Sequence, residues 1–193
     1  MKNDKYLFLV VIGGWAPKAN IELHDVRWVI GSKITDTFAS LRKNWFGSIE
    51  GLHIDSYKKI HSIDGYKIKL RKIDNNKIKK KISEKDSKNK EKLWFVNLGG
   101  YHRNSMQERH EFGLVVAKNS LDAKKIAKSK WLLSYTKTHK DNLSSLEMIC
   151  EVDECEVIKN IDNWEIELIL EDGLSRETNS PDWFGYMRID QIL

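Results

Sequence analysis

Two apolar stretches of the same shape punctuate the chain. LFLVVIGGW (Leu7 to Trp15) and LWFVNLGGY (Leu93 to Tyr101) are continuous apolar runs closed by paired glycines. Short runs rich in branched and aromatic residues suit central strands, so Tyr6 to Ile12 reads as a buried strand. A polar loop follows each run, then a second strand, VRWVI in one case and FGLVVA in the other. SKITDTF and KNSLDAK then carry helix-start signals. Ser32 or Thr35, and Asn119 or Ser120, suit N-caps, and Asp36 and Asp122 fall in the first turn, where the helix dipole favours an anion. Thr37, Leu41 and Trp45, matched by Ala123, Ala127 and Trp131, form an apolar stripe with helical spacing that would face a sheet. Gly47 is placed to end the first helix. YKIKLRKI and WEIELIL alternate apolar with charged residues, so each predicts a strand with one wet face. A closing strand is expected around Tyr186 to Ile189.

The two series of elements align at a single offset. With Leu7 on Leu93, Glu22 and His24 fall on Glu108 and His110, Asp36 on Asp122 and Trp45 on Trp131. Carried on without a gap, the same offset puts His53 and Asp55 on His139 and Asp141. IDGYKIKL then reappears as IDNWEIEL after about a dozen extra residues. A fixed period marks a duplicated structural unit. It also decides how the first apolar run is read. That run imitates a secretion signal, but its twin in mid-chain has no such use.

Strand, strand, helix, strand, strand in each copy predicts an α+β fold: two tandem ββαββ-like repeats, each an antiparallel sheet with a helix on one face. Units of this size bury thin cores, so the copies are expected to share an interface about a pseudo-twofold, as a homodimer would. The expected boundaries are 1–73 for the first unit, 74–92 for a basic, solvated, flexible linker, and 93–193 for the second unit with a C-terminal extension.

At 40% hydrophobic and 32% charged, the chain has the balance of an ordinary globular domain. No apolar run approaches the roughly 20 residues of a membrane helix. Its two cysteines, Cys150 and Cys155, lack partners at zinc spacing and fit a reduced, cytoplasmic protein. The net charge of +5 is unevenly spread. The first unit and linker are basic, whereas the second unit holds 12 basic against 17 acidic residues. Lys67 and Lys69 correspond to Glu165 and Glu167 in the other copy. Lys67, Lys69, Arg71, Lys72, Lys79, Lys80 and Lys81 therefore admit three readings: a solubilising exposed edge, attraction between the copies, or a basic patch for nucleic acid. The last is the least favoured, since no RNA-binding signature is present.

Candidate chemistry is limited to one pattern. Each copy offers Glu-x-His and His-x-Asp: Glu22, His24, His53 and Asp55, then Glu108, His110, His139 and Asp141. Residues two apart on a strand share a side, so the pairs could converge. Such a set can tie loop backbone, hold a divalent metal, or supply a His–carboxylate general base. The sequence contains no nucleophile elbow, P-loop or zinc-protease motif.

LFLVVIGGWAPKANIELHDVRWVIG, with TFASLRKNWFG and LHIDSY, resembles the bacterial family called domain of unknown function 1543. LGGY, ERHEFGLVVA and KWL resemble the second copy that some members carry. The resemblance implies one or two copies of this unit and brings no activity, cofactor or catalytic residue. The second copy departs from the first at Gly113 for Arg27 and Glu111 for Asp25. The function expected is a binding or scaffolding module, with no cofactor and no metal, whether monomeric with an internal pseudo-dimer or homodimeric. A protein partner is admitted, and neither membrane nor nucleic acid is expected. The alternatives are a metal-dependent or metal-binding protein and, third, a nucleic-acid binder.

Overall fold

The computed structural model describes residues 4–73, 90–100, 106–131, 150–171 and 180–191. Its core consists of two antiparallel sheets, one per repeat, joined by a third that both repeats build. In the first repeat β1 (Tyr6–Gly14) lies between β2 (Leu23–Gly31) and β3 (His53–Ile60). In the second, β6 (Lys92–Gly100) lies between β7 (Arg109–Ala117) and β8 (Cys150–Ile158). The third sheet runs β4 (Ser62–Ile63), β5 (Tyr66–Lys72), β10 (Trp164–Leu170), β9 (Asn160–Ile161). The helices are α1 (Phe38–Asn44), entered through a 3₁₀ turn over Ile34–Thr37, and α2 (Ser120–Trp131).

Alternation along the central strands fixes what each face covers. Phe8, Val10 and Ile12 pack with Val29, Phe38, Leu41 and Trp45 under the first helix. Trp94, Val96 and Leu98 do the same with Ala123, Ala127 and Trp131 under the second. The opposite faces meet. Leu7, Leu93, Phe95, Leu114, Val116 and Ile158 form one shared core, with Trp28 tilted against Phe95 at 5.0 Å between centroids. Each such side chain is worth about 1.5–3 kcal/mol when buried, which holds two thin units together.

The predicted helix stripes are both buried, but the first helix is shorter than its stripe. Thr37 lies in the 3₁₀ turn, and Trp45 follows the helix in extended backbone. Gly47 therefore does not cap it. A side chain there would strike the Trp45 indole, so Gly47 lets the loop close against that ring. Asn119 is the expected cap of α2, its Oδ1 accepting from Asp122 N at 3.0 Å. At α1, Asp36 accepts from Ser32 N at 2.9 Å, which holds its carboxyl below the ordinary carboxylate range.

The third sheet explains the charge reversal. β5 and β10 are antiparallel neighbours, and their wet faces form ion pairs: Arg71–Glu165 at 2.5 Å, Lys67–Glu171 at 3.8 Å and Lys69–Glu167 at 4.0 Å. Tyr66, Ile68, Ile166 and Leu168 on the other face join the shared core. The hairpin turn at Asp64 also reaches across, with its carboxylate accepting from Val116 N at 2.9 Å and pairing with Lys130.

The C-terminal strand is displaced from its expected place in two respects. β11 spans Trp183–Arg188, and it hydrogen-bonds to β3, extending the sheet of the first repeat. Residues 74–89, which hold most of the expected linker and Lys79, Lys80 and Lys81, lie outside the described residues, as do His139 and Asp141. Among the described residues no helix is long and apolar enough to cross a membrane.

Candidate metal centre

The paired glycines belong to the strands and do not form a bulge. Gly13 on β1 has His24 of β2 on one side and His53 of β3 on the other. A Cβ at Gly13 would lie 2.8 Å from His53 Nε2 and 2.9 Å from His24 Cδ2, so its absence lets the two imidazoles lean together above the strand. The bulge lies on β3. Ile54 and Ser56 pair with consecutive residues of β1, leaving Asp55 between them without a partner. A bulge re-aims the extra side chain, and here the Asp55 carboxylate enters between the rings. Its Oδ2 is 3.3 Å from His24 Nε2, and its Oδ1 is 3.2 Å from His53 Nε2.

The neighbours of His53 favour one tautomer. His53 is buried, at 1% exposure, while His24 and Asp55 reach solvent. Its Nδ1 lies 2.8 Å from Gly51 O and 3.5 Å from Glu22 Oε1. Both neighbours only accept, so Nδ1 carries the proton. In the neutral ring Nε2 is then a bare lone pair facing a carboxylate oxygen. A cation placed between them would be held by both. Glu22, His24 and His53 offer donor atoms within 4.8 Å of one another. Donors held about 2.1 Å from one ion lie roughly 3–3.5 Å apart, the spacing seen on both sides of Asp55. The contact of Nδ1 with a carbonyl and a carboxylate is the usual way a metal-binding imidazole is oriented.

The second repeat builds a related but different cluster. Gly99 has His110 on one side and Glu151, in place of a second histidine, on the other. Asp153 occupies the bulge, between Val152 and Glu154. A side chain at Gly99 would collide with the Asp153 and Glu108 carboxylates. Glu108, His110 and Asp153 offer donors within 4.8 Å of one another, and all three reach solvent. The Asn97 amide donates to Glu154 at 2.8 Å and lies 3.4 Å from Asp153 and 3.3 Å from His110 Nδ1. The first repeat has Val11 at that position and no such donor. The strand register thus sets His53 and Asp55 against Glu151 and Asp153, where the gapless alignment pairs them with His139 and Asp141.

A family model described as Domain of Unknown Function (DUF1543) matches residues 19–70 and 105–168, together more than half of the chain. The chain belongs to this family. Its two matched segments fall one in each repeat, downstream of β1 and β6, and contain Glu22, His24, His53 and Asp55 in one, Glu108, His110 and Asp153 in the other. The chain is also similar to the crystal structure of a protein Il1583 from Idiomarina loihiensis, at 31% identity and a TM-score of 0.68. That match covers 96% of this chain and 99% of the other. No curated protein matches. In this DUF1543 chain the glycines, Asp153 and the Gly51 carbonyl are the site features that motif reading did not find. The offset of IDGYKIKL from IDNWEIEL carries the signal for Asp153, because extending it backwards sets DECEVI on DSYKKI.

The basic candidates do not converge with either cluster. Lys67, Lys69 and Arg71 are engaged with glutamates across the β5–β10 pair, and the Arg71 guanidinium is held further above its ordinary range by Glu165. Lys72 stands opposite Trp164 in the same ladder.

Proposed function

We propose that the chain is a metal-binding protein whose centre lies at the Gly13 end of the first sheet. His24 Nε2, His53 Nε2 and the Asp55 carboxylate are the ligands, and Glu22 orients His53 through Nδ1. The observation that carries this reading is the buried His53. Its Nδ1 lies 2.8 Å from Gly51 O, which can only accept, and its Nε2 lies 3.2 Å from Asp55 Oδ1, where a Cβ at Gly13 would meet both imidazoles. One divalent cation would take a lone pair from each ring and from the carboxylate together. Two imidazoles with a carboxylate select first-row ions of the zinc and iron(II) type over magnesium or calcium. The exposure of His24 leaves coordination positions open to solvent or to a further ligand.

The second cluster has one described imidazole, and its Asp153 carboxylate already lies 3.4 Å from the Asn97 amide donor. Tight binding is therefore assigned to the first repeat alone. Elemental analysis and zinc titration of the full chain test this. The expected result is about one equivalent per chain, lost in His24→Ala and His53→Ala and retained in His110→Ala. Absence of stoichiometric zinc, or its retention in His53→Ala, overturns the assignment.

A further inference from the structure

β11 arrives at the first centre from the far end of the chain, beyond both segments matched to the family. Arg188 pairs with His53 in the strand register, and Met187 pairs with Ile54. The register then slips, so that Gly185 and Tyr186 together stand opposite Asp55, the bulged residue of β3. Gly185 makes this slip with φ near +149°, a backbone region that side chains disfavour. The slip lays the Tyr186 ring on the His53 imidazole, centroids 4.1 Å apart and planes 34° apart.

The residues after the strand fasten the loop that meets an edge of the same imidazole. Asp190 Oδ2 accepts from Gly51 N at 2.9 Å, and Ile189 N donates to Leu52 O at 2.9 Å. Asp190 is itself gripped by Arg188 through Nε at 3.1 Å and Nη2 at 2.5 Å. Arg42 of α1 donates to Ile189 O at 2.8 Å and Gln191 O at 2.9 Å, which fastens the segment to the helix. Gly51, with φ near +78°, turns the loop so that its N–H meets Asp190 and its carbonyl meets His53 Nδ1. Residues 183–191 therefore cover one face of His53 and fasten the Gly51 loop that meets its edge.

We infer that Tyr186 and Asp190 are positioning residues of the first centre, holding His53 as the Nδ1–H tautomer with Nε2 presented to the ion. Tyr186 restrains the ring plane, and Asp190 acts through Gly51. A metal-binding imidazole whose other nitrogen loses its oriented acceptor commonly loses 10–100-fold in affinity, and that is the size of effect expected here. The affinity arm of this inference rests on the metal reading above. The tautomer arm does not.

The test uses the full chain and the variants Tyr186→Ala, Tyr186→Phe, Asp190→Ala and Ile189→Ala. Two-bond ¹H–¹⁵N spectra of the histidine rings report the His53 tautomer without metal, and chelator competition gives the zinc affinity. Wild type and Tyr186→Phe are expected to show Nδ1–H and equal affinity. Tyr186→Ala and Asp190→Ala are expected to show mixed tautomers and zinc binding weaker by about 10-fold or more. Ile189→Ala removes a core side chain beside the site, so it lowers Tm while keeping the tautomer. The inference is overturned if Tyr186→Ala and Asp190→Ala keep the wild-type tautomer, or if Ile189→Ala reproduces their change. If wild type takes up no zinc yet the tautomer shifts in Tyr186→Ala, the metal assignment fails and the positioning role stands.

Discussion

At Gly13 a missing side chain creates the site. Its two cross-strand neighbours are both histidines, and any Cβ would occupy the space where their Nε2 atoms approach. Gly13→Ala is expected to drive the imidazoles apart and weaken zinc binding by at least about 10-fold. Alanine would gain roughly 0.4–1 kcal/mol by restricting the unfolded chain, against about 1–3 kcal/mol for overpacking, so stability falls by up to about 2.6 kcal/mol. Zinc titration with urea unfolding checks both parts. Gly99→Ala is the internal comparison: its Cβ meets carboxylates of the second repeat, so it leaves the zinc affinity of the first centre unchanged. The sequence announced these glycines clearly through their repetition. Their role was hidden because glycine next to an apolar run reads as a turn, and the histidines that need the space lie on other strands.

The elements themselves were largely legible. Continuous apolar runs became β1 and β6, and the stripes ending at Trp45 and Trp131 lie against the sheets. The third strand of the second sheet was not legible at the same offset. THKD in the second copy imitates LHID in the first, so a gapless alignment ran on to His139 and Asp141. Register is set by the buried alternation instead, which places Val152 and Ile158 where Ile54 and Ile60 stand. The charged strands were legible as a difference between copies but not as a contact, because pairing between β5 and β10 depends on how the repeats meet. That pairing predicts a charge-reversal result. Replacing Glu165, Glu167 and Glu171 by lysine puts like charges opposite one another and lowers Tm. Adding Lys67→Glu, Lys69→Glu and Arg71→Glu restores it. These side chains are about half exposed, so the loss is modest and shrinks as salt rises. A double reversal that fails to recover Tm would show that the ladder does not help the repeats pair.

On the scale of the whole molecule, the chain closes on itself: its last described strand completes the sheet that its first described strand begins. Ile189, only 1% exposed, belongs to the core under α1, so the first repeat is finished only when the second has been traversed. Asp190 is the charged fastening of this closure. Arg188 first, and then Gly51 N–H, lower its pKa from 3.8 to about 2. A carboxyl lowered on folding stabilises the native chain fully above its unfolded value and loses that contribution as pH falls through its folded one. Between about pH 4 and pH 2 the native state therefore loses this hold while the unfolded state is already protonated. Wild type should show a steep fall of stability with acid in that window, and Asp190→Asn should show a shallower one, the two converging near pH 2. Urea unfolding at a series of pH values measures it. Parallel curves for the two proteins across the window would mean that the closure does not depend on the Asp190 charge. The same series reports on the site, because the Gly51 loop that Asp190 fastens also carries the acceptor of His53 Nδ1. In Asp190→Asn the His53 tautomer should therefore lose its definition at neutral pH, before any acid is added.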